Sequence, residues 1–208
     1  MPISEVFIQL FNTSESWPHL KKTVFSTYLI NTIVLTIGTG LLSTLIGVFC
    51  AWVIACCEFP LKKFFEWALI LPLAIPTYVS AYAYFDILEL SNPILIWVRE
   101  NINLEAMQSL NSFFVYFFTI LVLSSVLYPY IYLLTRASFL KQGNQLIEAG
   151  LSLGHNINEI FWKIALPMAR PAVFAGLSLV IMETLNDYGA VKHFGIPTFT
   201  SGIFRTWL

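Results

Sequence analysis

Residues 148–167 read EAGLSLGHNINEIFWKIALP, and the way this passage divides sets the organisation of the chain around it. It is polar-punctuated, lies between two strongly apolar segments, and reads as two short helices joined at a glycine. Asn156 is a suitable N-cap, with Glu159 three residues on, where a capping-box carboxylate reaches back to the cap. Behind it Ile157, Ile160, Phe161 and Ile164 follow the i, i+3, i+4, i+7 spacing of one helical face. Gly154 lets the backbone turn between the two helices, and Pro167 is expected to open a new one. An amphipathic pair between membrane spans is a surface suited to a soluble partner.

Outward from this passage the chain is apolar. It has 208 residues, 57% hydrophobic and 11% charged, with a mean hydropathy of +0.74. Soluble domains carry roughly 25% charged residues, so the composition indicates an integral membrane protein. Thr23 to Cys57 is 35 residues without a charge, more than the roughly 20 that cross a bilayer. Gly38, Gly40 and Gly47 lie within it, where small residues let helices pack closely. Further spans are expected at 64–88, 113–135 and 169–190, the first beginning at about 28 and ending at 57. The fold class is therefore all-α, a polytopic transmembrane helical bundle. Residues 1–22 form an N-terminal segment, 23–208 the transmembrane domain, and 136–168 the loop holding the quoted passage. Pro72 and Pro76 are expected to bend the second span, since proline frees carbonyls and cannot donate. Residues 91–112 are polar enough for a loop, with room for a short helix on the membrane.

Cations set the expected orientation. Lys62 and Lys63 follow the first span, and Arg136, Lys141, Lys163 and Arg170 lie in or beside the long loop, whereas 91–112 carries only Arg99. The positive-inside rule puts the two basic loops in the cytoplasm and residues 1–22 outside. Lys21 and Lys22 fall on the wrong side of this scheme. The N-terminus lacks the basic-then-apolar pattern of a signal peptide. A net charge of −1 with no basic run gives nothing for nucleic acid to bind. Cys50, Cys56 and Cys57 end the first span and are expected to be buried small hydrophobes, with no zinc-ligand spacing.

Glu148-Ala149-Gly150, then Gly154, then Ile164-Ala165-Leu166-Pro167 resembles the loop of permease subunits of binding-protein-dependent ABC importers, the MetI-like superfamily. That loop has the form EAA, three residues, Gly, nine residues, Ile-x-Leu-Pro. Gly150 departs from it, a small-for-small change expected to weaken the helix slightly. The passages ALILPLAIPTYVSAYAYFD, LYPYIYLLTRASF, LPMARPAVFAGLSLVIMETLNDYGAV and FGIPTFTSGIFRTWL are similar to iron(III)-type fused permeases, collinear with the N-terminal half of such a chain. Such chains usually have an extra helix before the first span, at least one more after the last, and a second half. The resemblance thus implies an incomplete permease core: a fragment, a split gene product or a truncated chain.

The resemblance further implies a bacterial inner-membrane, multi-pass protein with the loop cytoplasmic. A separate ATP-binding subunit would bind ATP and Mg. A periplasmic substrate-binding protein would deliver solute, and a second permease half or a second copy would complete the path within the lipid. Glu148, Ala149, Gly150, Gly154, Ile164, Leu166 and Pro167 would couple to the ATPase. Iron(III) would be the solute; a polyamine, thiamine, sulfate or molybdate stays open, as does a non-transporting truncated fragment.

No phosphate-binding Gly loop, GxSxG elbow or HExxH occurs, so the chain reads as a non-enzyme with no cofactor of its own. Glu183 and Asp187, four apart, are expected on one helix face. A carboxylate in a bilayer costs about 2.5–3.5 kcal/mol even on lenient scales and is a functional candidate by default. The alternative is an outer-interface position, paired with Lys192 or a neighbouring helix. Tyr78, Tyr82 and Asp86 are further path candidates; the alternative for the tyrosines is an interfacial belt. Oxygen ligands suit a hard cation such as iron(III).

Overall fold

The computed structural model describes residues 25–90 and 104–207, and every element among them is helical. The N-terminal segment 1–22 and residues 91–103 of the expected 91–112 loop lie outside the described residues. Helix α1 (Phe25–Cys56) runs 32 residues through the charge-free stretch. Helix α2 (Lys62–Ala68), a 3-10 turn (Leu71–Ala74) and α3 (Thr77–Leu90) follow. Then come α4 (Leu104–Ser152), α5 (Ile157–Ile160), a π-helical turn (Phe161–Ala165) and α6 (Leu166–Asn186). Short helices α7 (Gly189–His193) and α8 (Phe199–Trp207) close the chain.

Helices α1 and α4 are parallel. The Tyr116 hydroxyl donates to Asn31 Oδ1 (2.7 Å) and Ser124 Oγ to the Thr39 carbonyl (3.3 Å), both at a sequence offset of 85. Further along, Trp52 meets Phe139 with centroids 5.4 Å apart. Helix α6 is antiparallel to them, since Gln142 Nε2 donates to the Ala165 carbonyl while Gly176 meets Ile131. The glycines expected to permit close packing do so. A Cβ on Gly47 of α1 would lie 2.9 Å from Ile131 Cβ, and one on Gly176 of α6 would lie 2.7 Å from Ile131 Cα. Ile131 of α4, fully buried, is thus the point where the three long helices meet.

Between these two parallel helices in the chain lies the bent α2–α3 pair. Among the described residues three helices are long and apolar enough to cross a membrane, or four if this pair counts as one span. The pair is bent by 94° around Pro72 and Pro76, the bend these prolines were expected to make in the second span. Pro72 sits in the 3-10 turn, Ile75 is extended (ψ 120°), and Pro76 precedes α3. Prolines four apart remove two N–H donors from adjacent turns, and the residue before proline is pushed from helical geometry.

Other boundaries also move. Helix α4 outruns the expected span 113–135 and continues to Ser152, broken at Gly143, where φ is 69° and ψ 166°. Pro167 does not open a new helix, and the fourth span does not start at 169: the helix runs from Ile157 to Asn186. The π turn explains the continuity. The Leu166 N–H bonds the Phe161 carbonyl five residues back, a wider turn that accommodates a residue unable to donate. The helix stops at Asn186, short of the expected 190. Cys50 and Cys56 are half-buried and Cys57 is exposed, so these thiols are not the buried fillers expected.

Candidate functional site

The hairpin joining α4 to α6 is built by its end-caps. The His155 N–H bonds the Gly150 carbonyl (3.1 Å) and the Gly154 N–H bonds the Leu151 carbonyl (3.0 Å), with Gly154 at φ 82°. This is a Schellman C-cap, whose left-handed residue is most easily glycine. Two residues on, the Asn156 N–H donates to Glu159 Oε2 (3.1 Å) as the capping pattern predicts. Lys163 Nζ lies 2.8 Å from Glu159 Oε1, and His155 Nδ1 lies 3.3 Å from Oε2. Glu159 therefore ties the turn, the cap and the next helical turn together.

The motif residues divide by exposure. Glu148, Ala149 and Gly154 are exposed along the tip, whereas Ile164, Leu166 and Pro167 are half-buried at the root. Gly150 is buried against Ile160, itself fully buried. Phe161 locks the root to α1, its ring 4.9 Å from Trp52. Around the tip stand apolar side chains that spacing alone did not single out, Leu153 (79% exposed), Trp162 (67%) and Leu151, together with Ile157 of the expected helical face, which is exposed as well. Exposed leucines flanking a C-cap glycine were the available signal. Apolar side chains beside an exposed carboxylate, on a braced hairpin beyond the spans, make a surface that can dock into a groove.

The path candidates gather at the opposite end of the bundle, around α7. Tyr78 of α3 packs so tightly on Gly189 that a Cβ there would lie 2.7 Å from the Tyr78 Cβ. The Tyr82 ring lies 4.1 Å from that of His193. Asp187 Oδ1 accepts the Ala190 N–H (2.9 Å), capping α7. Asp187 is the C-cap of α6, one turn after Glu183, and there the chain leaves the helix (ψ 116°). Glu183 is half-buried and interacts with the Tyr130 hydroxyl of α4. Asp86 lies in α3, but its side chain is outside the described set. Among the described residues no three His, Cys, Asp or Glu side chains stand close enough to hold a metal ion.

Lys192 is not ion-paired with either carboxylate among the described residues. Its ammonium lies 5.1 Å from the centre of the Tyr188 ring. Hydrogen bonding to the Tyr188 hydroxyl pushes the lysine pKa up. Both residues line a cleft of about 450 Å³ with Tyr28, Pro197, Ser201 and Phe204, and among the described residues no carboxylate lines it.

Residues 43–203 match the family described as "Binding-protein-dependent transport system inner membrane component". The chain is 28% identical over 177 residues to an Fe(3+)-transport system permease protein of Haemophilus influenzae, covering 85% of this chain and 31% of that one. It is 25% identical over 196 residues to a sulfate transport system permease protein of Escherichia coli, covering 92% and 64%. A probable sulfate permease of Chlorokybus atmophyticus is 27% identical over 169 residues, covering 78% and 56%. The chain thus spans under two thirds of the length of each of these relatives.

Proposed function

The chain belongs to the binding-protein-dependent transport system inner membrane component family, and from that premise we propose that it is a permease subunit of an ABC importer. In this reading it lines part of a path for solute, and a separate ATPase subunit drives it through the 148–167 hairpin. The observation that carries the proposal is the hairpin itself. It is braced at the root by Ile160 and Phe161 and presents Glu148, Leu151 and Leu153 beyond the spans. The cation distribution supports a cytoplasmic hairpin: Lys62, Lys63, Arg136, Lys141, Lys163 and Arg170 belong to the elements at that end. A binding protein would then dock at the α7 end, and a second permease half or copy would close the path.

Iron(III) is the solute this reading favours, because Glu183 beside Tyr130 offers the oxygen donors a hard cation takes. A sulfate-type oxyanion is the second reading, and one observation favours it: the cleft places the Lys192 ammonium beside Tyr188 and, among the described residues, no carboxylate.

The test is co-purification of the chain with its ATPase, wild type against Glu148→Lys and Leu153→Ser. Retention by the wild type and loss by both variants is expected; equal retention by all three would overturn the docking assignment. Uptake of radiolabelled iron(III) and of sulfate by the reconstituted importer then separates the two solutes.

A further inference from the structure

The bent α2–α3 pair touches the rest of the bundle at both of its ends, and the two contacts differ in kind. At the hairpin end, Arg136 Nη2 of α4 lies 3.0 Å from Glu66 Oε2 of α2, with side chains only 23% and 26% exposed. The Tyr132 hydroxyl, one turn earlier on α4, donates to the Glu66 backbone carbonyl (3.4 Å). At the other end, Tyr78 closes on Gly189 and Tyr82 lies against His193. Between them lies the 94° bend around Pro72 and Pro76.

No residue of α2 itself is buried; its apolar anchorage comes from Leu69 and Ile70, just after it, which pack on the core around Tyr132. A half-buried ion pair is a poor source of net stability, because desolvation offsets the attraction. Its strength is directional: removing one partner strands a charge, and a guanidinium fork fixes orientation. Arg136 sits two turns before the Gly143 break, beyond which α4 becomes the exposed hairpin helix. A displacement of that helix reaches Arg136 before it reaches the apolar centre around Ile131.

We propose that Glu66 and Arg136 are a positioning pair that makes the bent α2–α3 segment move with the hairpin end of α4. Motion at the hairpin is thereby delivered to the residues around Gly189. The proposal rests on the importer reading and names the internal link that reading leaves open. The pair touches no solute. It acts by holding the near arm of a bent lever whose far arm carries Tyr78 and Tyr82.

The experiment is the complete importer in proteoliposomes, with solute transported and ATP hydrolysed measured together. Glu66→Arg and Arg136→Glu are each expected to lower solute moved per ATP by about fivefold or more, the lower bound of typical coupling energies. The exchanged pair Glu66→Arg with Arg136→Glu is expected to restore the wild-type ratio. Since a stranded charge can prevent assembly, Glu66→Gln with Arg136→Gln provides a neutral variant. It should assemble with the ATPase and hydrolyse ATP, yet transport poorly. A wild-type ratio in that variant, or failure of the exchanged pair to recover when it assembles, would overturn the proposal. If the wild type shows no ATP-dependent uptake of any tested solute, the importer reading fails instead.

Discussion

Gly150 lies directly against Ile160: a Cβ built on the glycine would stand 2.8 Å from both Cγ1 and Cδ1 of the isoleucine. The family loop resembled here carries alanine at this position, so the departure and the contact belong together. In this chain Ile160 fills the space that an alanine methyl would occupy, and the two arms of the hairpin close on each other there.

Gly150→Ala therefore sets two effects against each other. Alanine is better than glycine in a helix by about 1 kcal/mol, but forcing a methyl into a packed contact costs about 1–3 kcal/mol. Ile160 is fully buried and its Cγ1 is not a free end, so overpacking is expected to win. The variant should lose about 1 kcal/mol, a fall of roughly 2–4 °C in Tm in detergent for a chain of this size. Adding Ile160→Val, which deletes Cδ1 but leaves Cγ1 at 2.8 Å, should restore only part of that. A Tm at or above wild type for Gly150→Ala alone would refute the packing account.

Glu159 serves three partners, and its substitution should unlock the turn without touching the spans. Glu159→Gln keeps the shape but loses the charge facing Lys163 and His155, while Asn156→Ala removes the cap side chain at a typical cost of about 1 kcal/mol. Amide exchange over residues 154–160 is expected to rise by about fivefold in Asn156→Ala and less in Glu159→Gln. Unchanged exchange in both would mean that the hairpin is held by its root alone.

The features legible in the sequence were those that act locally. The Asn156–Glu159 spacing and the Gly154 turn depend on side chains three to five residues apart, and the charge-free run into Cys57 needs only a count. The misread features depend on partners far along the chain. Pro167 looked like a helix start because a proline ordinarily cannot sit inside one, yet a π turn at Phe161–Ala165 takes it in. That the helix ends at Asp187, one turn after Glu183, was not legible, because periodicity does not show where a helix ends. The Asp187 carboxylate caps α7. Pro72 and Pro76 announced the bend in the second span, but not its size of 94°. Gly150 read as a neutral replacement because Ile160, its neighbour across the hairpin, is visible only once the chain has turned.

Gly154 is the position where the backbone itself restricts substitution. At φ 82° an L side chain is strained, although a Cβ there would meet nothing within 4 Å. Gly154→Ala should therefore destabilise the hairpin by about 1 kcal/mol through strain alone. Gly154→Asn should cost less, since asparagine visits the left-handed region more readily. Gly154→Pro should be worst, because it forbids positive φ and removes the N–H that bonds the Leu151 carbonyl. ATPase affinity of the three variants, measured by titration of the detergent-purified chain, should fall in the order Asn, Ala, Pro. Equal affinities would show that the turn does not present the hairpin tip.

Asn31 holds the far end of the bundle as Glu159 holds the near one. Its Nδ2 donates to the Pro197 carbonyl (2.8 Å) and its Oδ1 accepts from the Tyr116 hydroxyl (2.7 Å), with the side chain 7% exposed. This joins α1, α4 and the α7–α8 connection beside the Lys192 cleft. Tyr116→Phe removes one donor and leaves Oδ1 with spare capacity, so about 1 kcal/mol should be lost. Asn31→Leu strands both the Pro197 carbonyl and the Tyr116 hydroxyl and inserts a branched side chain, so its cost should be about 2–3 kcal/mol. The double variant should cost less than the sum, because each substitution removes a partner the other would have stranded. Urea or thermal unfolding of the four proteins in one detergent measures this directly. Strict additivity would mean that the two bonds act independently, and that Asn31 does not organise this end of the molecule.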